Sequence, residues 1–211
     1  MEKSSPERTI AIVTAVMLGL VSVVTALGAW QAAVWNGIAD EYAEDASDAQ
    51  DVSINQGVLA NYSLRLDQQT SAATAPYWFQ LQSADEFETL YLEFAIRAQL
   101  ARTTPGFADA WLEWADSDFV VEENPLVDPV YNAELRKSPD SYAYASTVLA
   151  RAGEAQEARS GILAQAALIQ ALALFLFGIS GVNRLRSVRI GVLALGVAVF
   201  LGGLALAVTA F

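Results

Sequence analysis

The side chains best placed for chemistry are six carboxylates close together in the chain, Asp40, Glu41, Glu44, Asp45, Asp48 and Asp51. On a helix, Asp40, Glu44, Asp48 and Asp51 fall along one side at 4-4-3 spacing. Hard oxygen ligands of this kind suit Ca²⁺ or Mg²⁺, although the spacing is not that of an EF-hand. Repeated around the axis of a homo-oligomer, the same row would form stacked acidic rings that concentrate cations at the mouth of a pore. The plain alternative is a solvated helix face on an acidic protein. A second set, Asp109, Glu113 and Asp116, sits beside Trp111 and Trp114. It reads as the surface of a short helix whose two tryptophans belong to a core or a contact.

Other chemistries find little support. The chain has no Cys and no His, which excludes disulfides and thiolate metal sites and removes the commonest general base and zinc ligand. It has no P-loop, dinucleotide fingerprint, nucleophile elbow or zinc-ligand spacing. Paired carboxylates can hydrolyse glycosides, but among acids this dense some pair will always look suitable. The chain therefore reads as a non-enzyme with no cofactor, apart from a divalent cation drawn to the acidic belt.

The elements that position the belt begin with three apolar stretches. Segments 161–182 and 190–211 contain no charged residue, and the turn 183–189 between them carries Arg184, Arg186 and Arg189 with no acid. A spanning helix needs roughly 20 apolar residues, so this is a membrane hairpin. Short basic loops stay cytoplasmic, which puts the turn inside and the C-terminus outside. A third uncharged run, 9–39, is too long for the roughly 7–15-residue core of a signal peptide. Lys3 and Arg8 precede it, which places the N-terminus in the cytoplasm, and Trp30 and Trp35 fall where the helix should leave the membrane. The expected organisation is a cytoplasmic N-terminus 1–8, span 9–35, an acidic domain 36–159, span 160–182, the basic turn 183–189 and span 190–211. The expected fold is an all-α membrane protein with three transmembrane helices and an α-helical extracytoplasmic domain between the first and second. The expected location is the cell (plasma or inner) membrane.

Charge follows this division. Of a net −12, residues 36–159 hold 22 acids against 7 bases. Such a domain repels nucleic acid and anionic headgroups and attracts cations. The chain has two Lys and abundant Asp and Ala, a composition shared by acidic surfaces of salt-loving archaea and by proteins of high-GC bacteria.

Small residues recur in the first span at Ala15, Gly19, Ser22, Ala26, Ala29 and Ala33, a 4-3-4-3-4 stripe of the type that lets membrane helices approach closely. Its partner could lie in the same chain or in another subunit. The second span has Ala167, Ala171, Gly178 and Gly181 near one face, and the third has Gly191, Ala198, Gly202, Ala205 and Thr209. Gln165 and Gln170 could bond between helices or face a pore. The spans hold no Asp, Glu, Lys or Arg, unlike proton-coupled transporters and voltage sensors.

Between the spans, the first helix is expected to run on to about Thr70, with a break over Ser71–Ala75. A helix beginning near Ser83-Ala84-Asp85-Glu86, which has the form of a capping box, should present Phe87, Leu90, Tyr91, Phe94, Ala98 and Ala101 to the core. A short helix 107–115 follows, then a loop to Pro139. Ser138-Pro139 should start a long helix that becomes the second span.

The order of features resembles an uncharacterised family of three-span bacterial membrane proteins, known as a domain of unknown function. The likeness lies in the run Leu163–Leu174, the Arg184–Arg189 turn and the Gly-punctuated last span. It implies the architecture and no activity. Together these features predict an oligomeric membrane protein that works through its acidic ectodomain as scaffold, sensor or accessory subunit, in contact with lipid and with its own copies or a membrane partner. The alternative is a homo-oligomeric cation channel with its vestibule at Asp40–Asp51.

Overall fold

A computed structural model describes residues 6–183 and 185–211. Lys3, in the polar N-terminus, and Arg184, in the basic turn, lie outside them. Five α-helices follow in order, α1 (Pro6–Leu81), α2 (Glu86–Leu100), α3 (Phe107–Asp116), α4 (Pro129–Val182) and α5 (Arg186–Val208), with a 3-10 turn at Val121–Glu123 and no strand among the described residues. Helices α1, α4 and α5 are long and apolar enough to cross a membrane. The chain divides into two compact units, one made of residues 1–45 and 148–211, the other of 46–147.

In the first unit the apolar parts of α1, α4 and α5 pack around Val21, Ala173, Phe177 and Phe200. Close approach depends on two glycines of α5. A Cβ at Gly196 would lie 2.9 Å from Cε1 of Phe177, and one at Gly203 would lie 3.1 Å from both Cγ of Gln170 and Cγ2 of Ile169. Helices α1 and α4 meet where both are small: a Cβ at Gly153 would lie 3.4 Å from the Ala39 carbonyl, and Ser160 Oγ donates to the Ala32 carbonyl at 3.0 Å. The Arg159 guanidinium lies 5.4 Å from the centre of the Trp35 ring, a cation–π contact suited to the edge of an apolar span.

In the second unit the same seven-residue step recurs. Ser146 Oγ donates to the Ala46 carbonyl and Ser53 Oγ to the Pro139 carbonyl, each at 2.8 Å. Positions 32 and 39 of α1 are thus matched by 160 and 153 of α4 in the first unit, and 46 and 53 by 146 and 139 in the second. A heptad repeat keeps such a seam facing its partner. The core of this unit is aromatic. Trp111 is wholly buried among Ile96, Leu100, Phe107 and Ala115, and Trp78 meets it edge to face at 6.1 Å.

Three expectations are corrected. First, α1 does not break over Ser71–Ala75 but continues through Pro76 to Leu81. Three of the five residues are Ala, the strongest helix former, and the two hydroxyl residues among them are tied into the packing. Ser71 is buried and accepts a hydrogen bond from Trp111 Nε1 at 2.9 Å, and Thr74 bonds back to the Thr70 carbonyl at 2.7 Å. The carbonyl of Ala72, which Pro76 cannot serve, belongs to an exposed residue within reach of water. Second, α4 starts at Pro129 rather than Pro139. Asp128 provides the N-cap, its Oδ1 accepting from Val130 N at 2.8 Å, and Pro139 is carried inside the helix with its carbonyl serving Ser53. Third, the buried face of α2 is Leu92, Ile96 and Leu100. The cap is Asp85, which accepts from Phe87 N and Glu88 N, while Phe87, Leu90, Tyr91, Phe94, Ala98 and Ala101 all face outward.

Candidate functional site

The acidic belt is carried by the middle of α1. Asp40, Glu44, Asp48 and Asp51 are all exposed. Among the described residues one side-chain hydrogen bond touches them, Asn36 Nδ2 donating to Asp40 Oδ2 at 3.1 Å. Acids four apart on one helix are successive rungs roughly 6 Å apart along its axis, too far for one ion to bind them all at carboxylate distances. Among the described residues no three carboxylates close on a common point. A divalent cation at the belt would need ligands from a second molecule. Asp109, Glu113 and Asp116 are likewise exposed on α3, and Trp111 beside them is core.

The small-residue stripe of α1 faces away from α4 and α5. Ala15, Gly19, Ser22, Ala26, Ala29 and Ala33 are all exposed, and a Cβ at Gly19 would meet nothing within 4 Å. The face that packs within the chain is instead Thr14, Val21 and Ala32. The third-span set at 191, 198, 202, 205 and 209 is exposed in the same way, while Gly196 and Gly203 make the contacts. Of the two glutamines, Gln165 is exposed. Gln170 is 2% exposed, packed against Gly203, with its Oε1 unpartnered among the described residues.

One polar site went unread in the sequence. Asp67 of α1 is wholly buried. Its Oδ1 accepts from Thr104 N at 2.9 Å, and its Oδ2 accepts from Thr104 Oγ1 and from the Tyr131 hydroxyl, each at 2.5 Å. The site thus ties α1 to the α2–α3 turn and to the first turn of α4. No Lys or Arg forms an ion pair with it among the described residues, so three neutral donors carry the stabilisation of the carboxylate. Burial, reinforced by the hydrogen bond to Asp67, holds the Tyr131 hydroxyl well above the ordinary tyrosine range. Thr104 and Tyr131 also line a cleft of about 510 Å³ with Phe107, Asp128 and Glu134. Asp67 itself is closed off, which suits it to holding three segments together rather than to meeting a substrate. Its partners lie 37 and 64 residues away in the chain. The signal available was that Asp67 is the lone acid between Asp51 and Asp85.

Just after α3, Asp118 and Phe119 both adopt left-handed backbone, with φ of 57° and 59°. Non-glycine residues there cost about 1 kcal/mol or more each. Aromatic packing offsets this, because the Phe119 ring sits 4.8 Å from Trp114 and 5.9 Å from Trp111, both edge-on.

No protein-family model, curated protein or solved structure matches the chain.

Proposed function

We propose that the chain is a non-enzymatic, oligomeric integral membrane protein. In this reading the N-terminus is cytoplasmic, the C-terminus lies outside, and the acidic helical part, residues 36–159, is the extracytoplasmic working part, serving as scaffold, sensor or accessory subunit. The observation that carries it is the outward stripe of α1, whose six small residues are exposed while the chain's own helices pack on a different face. Small residues at this spacing favour close helix contact in lipid, and a second copy offers the same stripe. The test is the mass of the nanodisc-held particle. A multiple of 22.6 kDa that falls toward one chain in Gly19→Leu/Ala26→Leu supports the reading. A wild-type monomer ends it.

A cation channel remains a second reading because Asp40 and Glu44 continue the exposed face of the stripe at helical spacing. Copies packed by that face would bring these acids together, and like charges repel unless cations sit between them. The particle should then hold together better in Ca²⁺ or high salt. Conductance lost in Asp40→Asn/Glu44→Gln/Asp48→Asn would favour the channel, and no conductance in the wild type would remove it.

A further inference from the structure

Helix α2 has two apolar faces, of which the fold uses one. Leu92, Ile96 and Leu100 are at most 6% exposed, whereas Phe87, Leu90, Tyr91 and Phe94 are 86, 71, 68 and 72% exposed. The exposed four are spaced i, i+3, i+4 and i+7, one unbroken helical stripe. From the usual areas of these side chains they present about 600 Å² of surface. That is as large as the largest apolar patch an ordinary monomer carries, and patches of that size mark interaction sites.

We propose that this face binds the same face of a second copy, as an antiparallel helix pair about a two-fold axis passing beside Phe94. The contact rests on the reading of the chain as self-associating and adds an interface outside the apolar spans. Charge selects the partner and its direction. Glu86 and Glu88 lie in the first turn of α2, Arg97 in its last turn and Arg102 just beyond it, all exposed. Antiparallel pairing about the two-fold keeps each flank of the stripe on its own side and lays Glu93 of each copy beside Arg97 of the other, twice over because a two-fold contact is self-complementary. Parallel pairing would set like charge on like. Ala98 and Ala101 extend the stripe toward the arginines and let the helices close. The pair buries less than the roughly 800 Å² per copy of a standard interface, in keeping with a contact that adds to one between the spans. A lipid surface fits less well, since interfacial helices carry Lys or Arg along their polar edges and α2 carries Glu86, Glu88 and Glu93 against Arg97.

The test uses the full chain in nanodiscs. In Leu90→Asp/Phe94→Asp the particle mass should halve while the melting profile stays put, because both side chains are exposed. Glu93→Arg alone should weaken the particle, and Glu93→Arg/Arg97→Glu should restore it. The chain has no Cys, so Phe94→Cys introduces a lone thiol that a short bismaleimide should join into a two-chain product, which Gln68→Cys should not give. A wild-type multimer whose mass ignores Leu90→Asp/Phe94→Asp, with no Phe94→Cys product, overturns the α2 contact and leaves the oligomer reading standing. A wild-type monomer ends both. A dye on Phe94→Cys quenched by lipid-borne quenchers would overturn the pairing in favour of a membrane-lying helix.

Discussion

In the unit of residues 1–45 and 148–211 the tightest contacts are made by residues with almost no side chain. Gly196 receives the Phe177 ring, Gly203 receives Gln170, and Gly153 meets the backbone of α1. In the unit of residues 46–147 the core is built from the bulkiest side chains, with Trp78 and Phe119 each edge-on to Trp111 and Phe107 in the same cluster. With the first unit in the membrane and the second outside it, as proposed, the difference follows from solvent. Between apolar spans lipid is as apolar as the side chains, so burial gains little and close van der Waals approach must hold the helices. In water, burying large aromatic area is itself the driving force. Hydrogen bonding differs in part. Both units join helices by single hydroxyls on carbonyls, as Ser160 does on Ala32 and Ser146 on Ala46, and the second also closes a buried carboxylate with three donors.

Substitutions can break this contrast. The largest effect is expected from Trp111→Ala, which empties the centre of the aromatic core and should cost about 3–5 kcal/mol, read from chaotrope unfolding followed by tryptophan fluorescence. Next comes Gly196→Ala. The added methyl must displace a buried phenyl ring, and overpacking of this kind costs about 1–3 kcal/mol. Gly19→Ala, facing open space, should change the stability of the isolated chain by less than about 0.5 kcal/mol. Equal thermal shifts for the two glycines in nanodiscs would sink the distinction between inner and outer small residues. Tyr131→Phe removes one hydrogen bond and should cost about 1 kcal/mol near neutral pH. It carries a pH signature. The folded Tyr131 holds its proton above the ordinary tyrosine value, so its contribution is complete below pH of about 10. Above that the unfolded chain sheds a proton that the folded chain keeps, and stability falls. The phenylalanine variant should show a flatter alkaline limb of melting temperature against pH. A limb as steep as the wild type's would mean that other groups set it.

The three spans were plain in the sequence because an uncharged run of that length needs no period to be recognised. The caps were partly legible. Asp85 sits inside the expected Ser83–Glu86 box, but Asp128-Pro129 and Ser138-Pro139 both have the form of a helix start, and only packing decides between them. Which face turns inward was not legible. Helix α2 carries two apolar stripes and the bulkier one is outside. Helix α1 carries two small-residue series, and the more regular one is outside. Periodicity reports that a face is apolar or small, not what covers it. Asp67 escaped because its partners come from turns far along the chain, where no local spacing can announce them. Gly196 and Gly203, seven apart, did leave a signal that the evenly dispersed small residues around them masked.

The serine and small-residue seam between α1 and α4 behaves like a reading frame counted in sevens. One residue inserted into α4 between Gly153 and Ser160 would turn everything beyond it by about 100°, swinging Ser160 off the Ala32 carbonyl. Seven inserted residues, matched by seven in α1, would leave the phase intact. Length variants of this protein should therefore survive in whole heptads and fail in between.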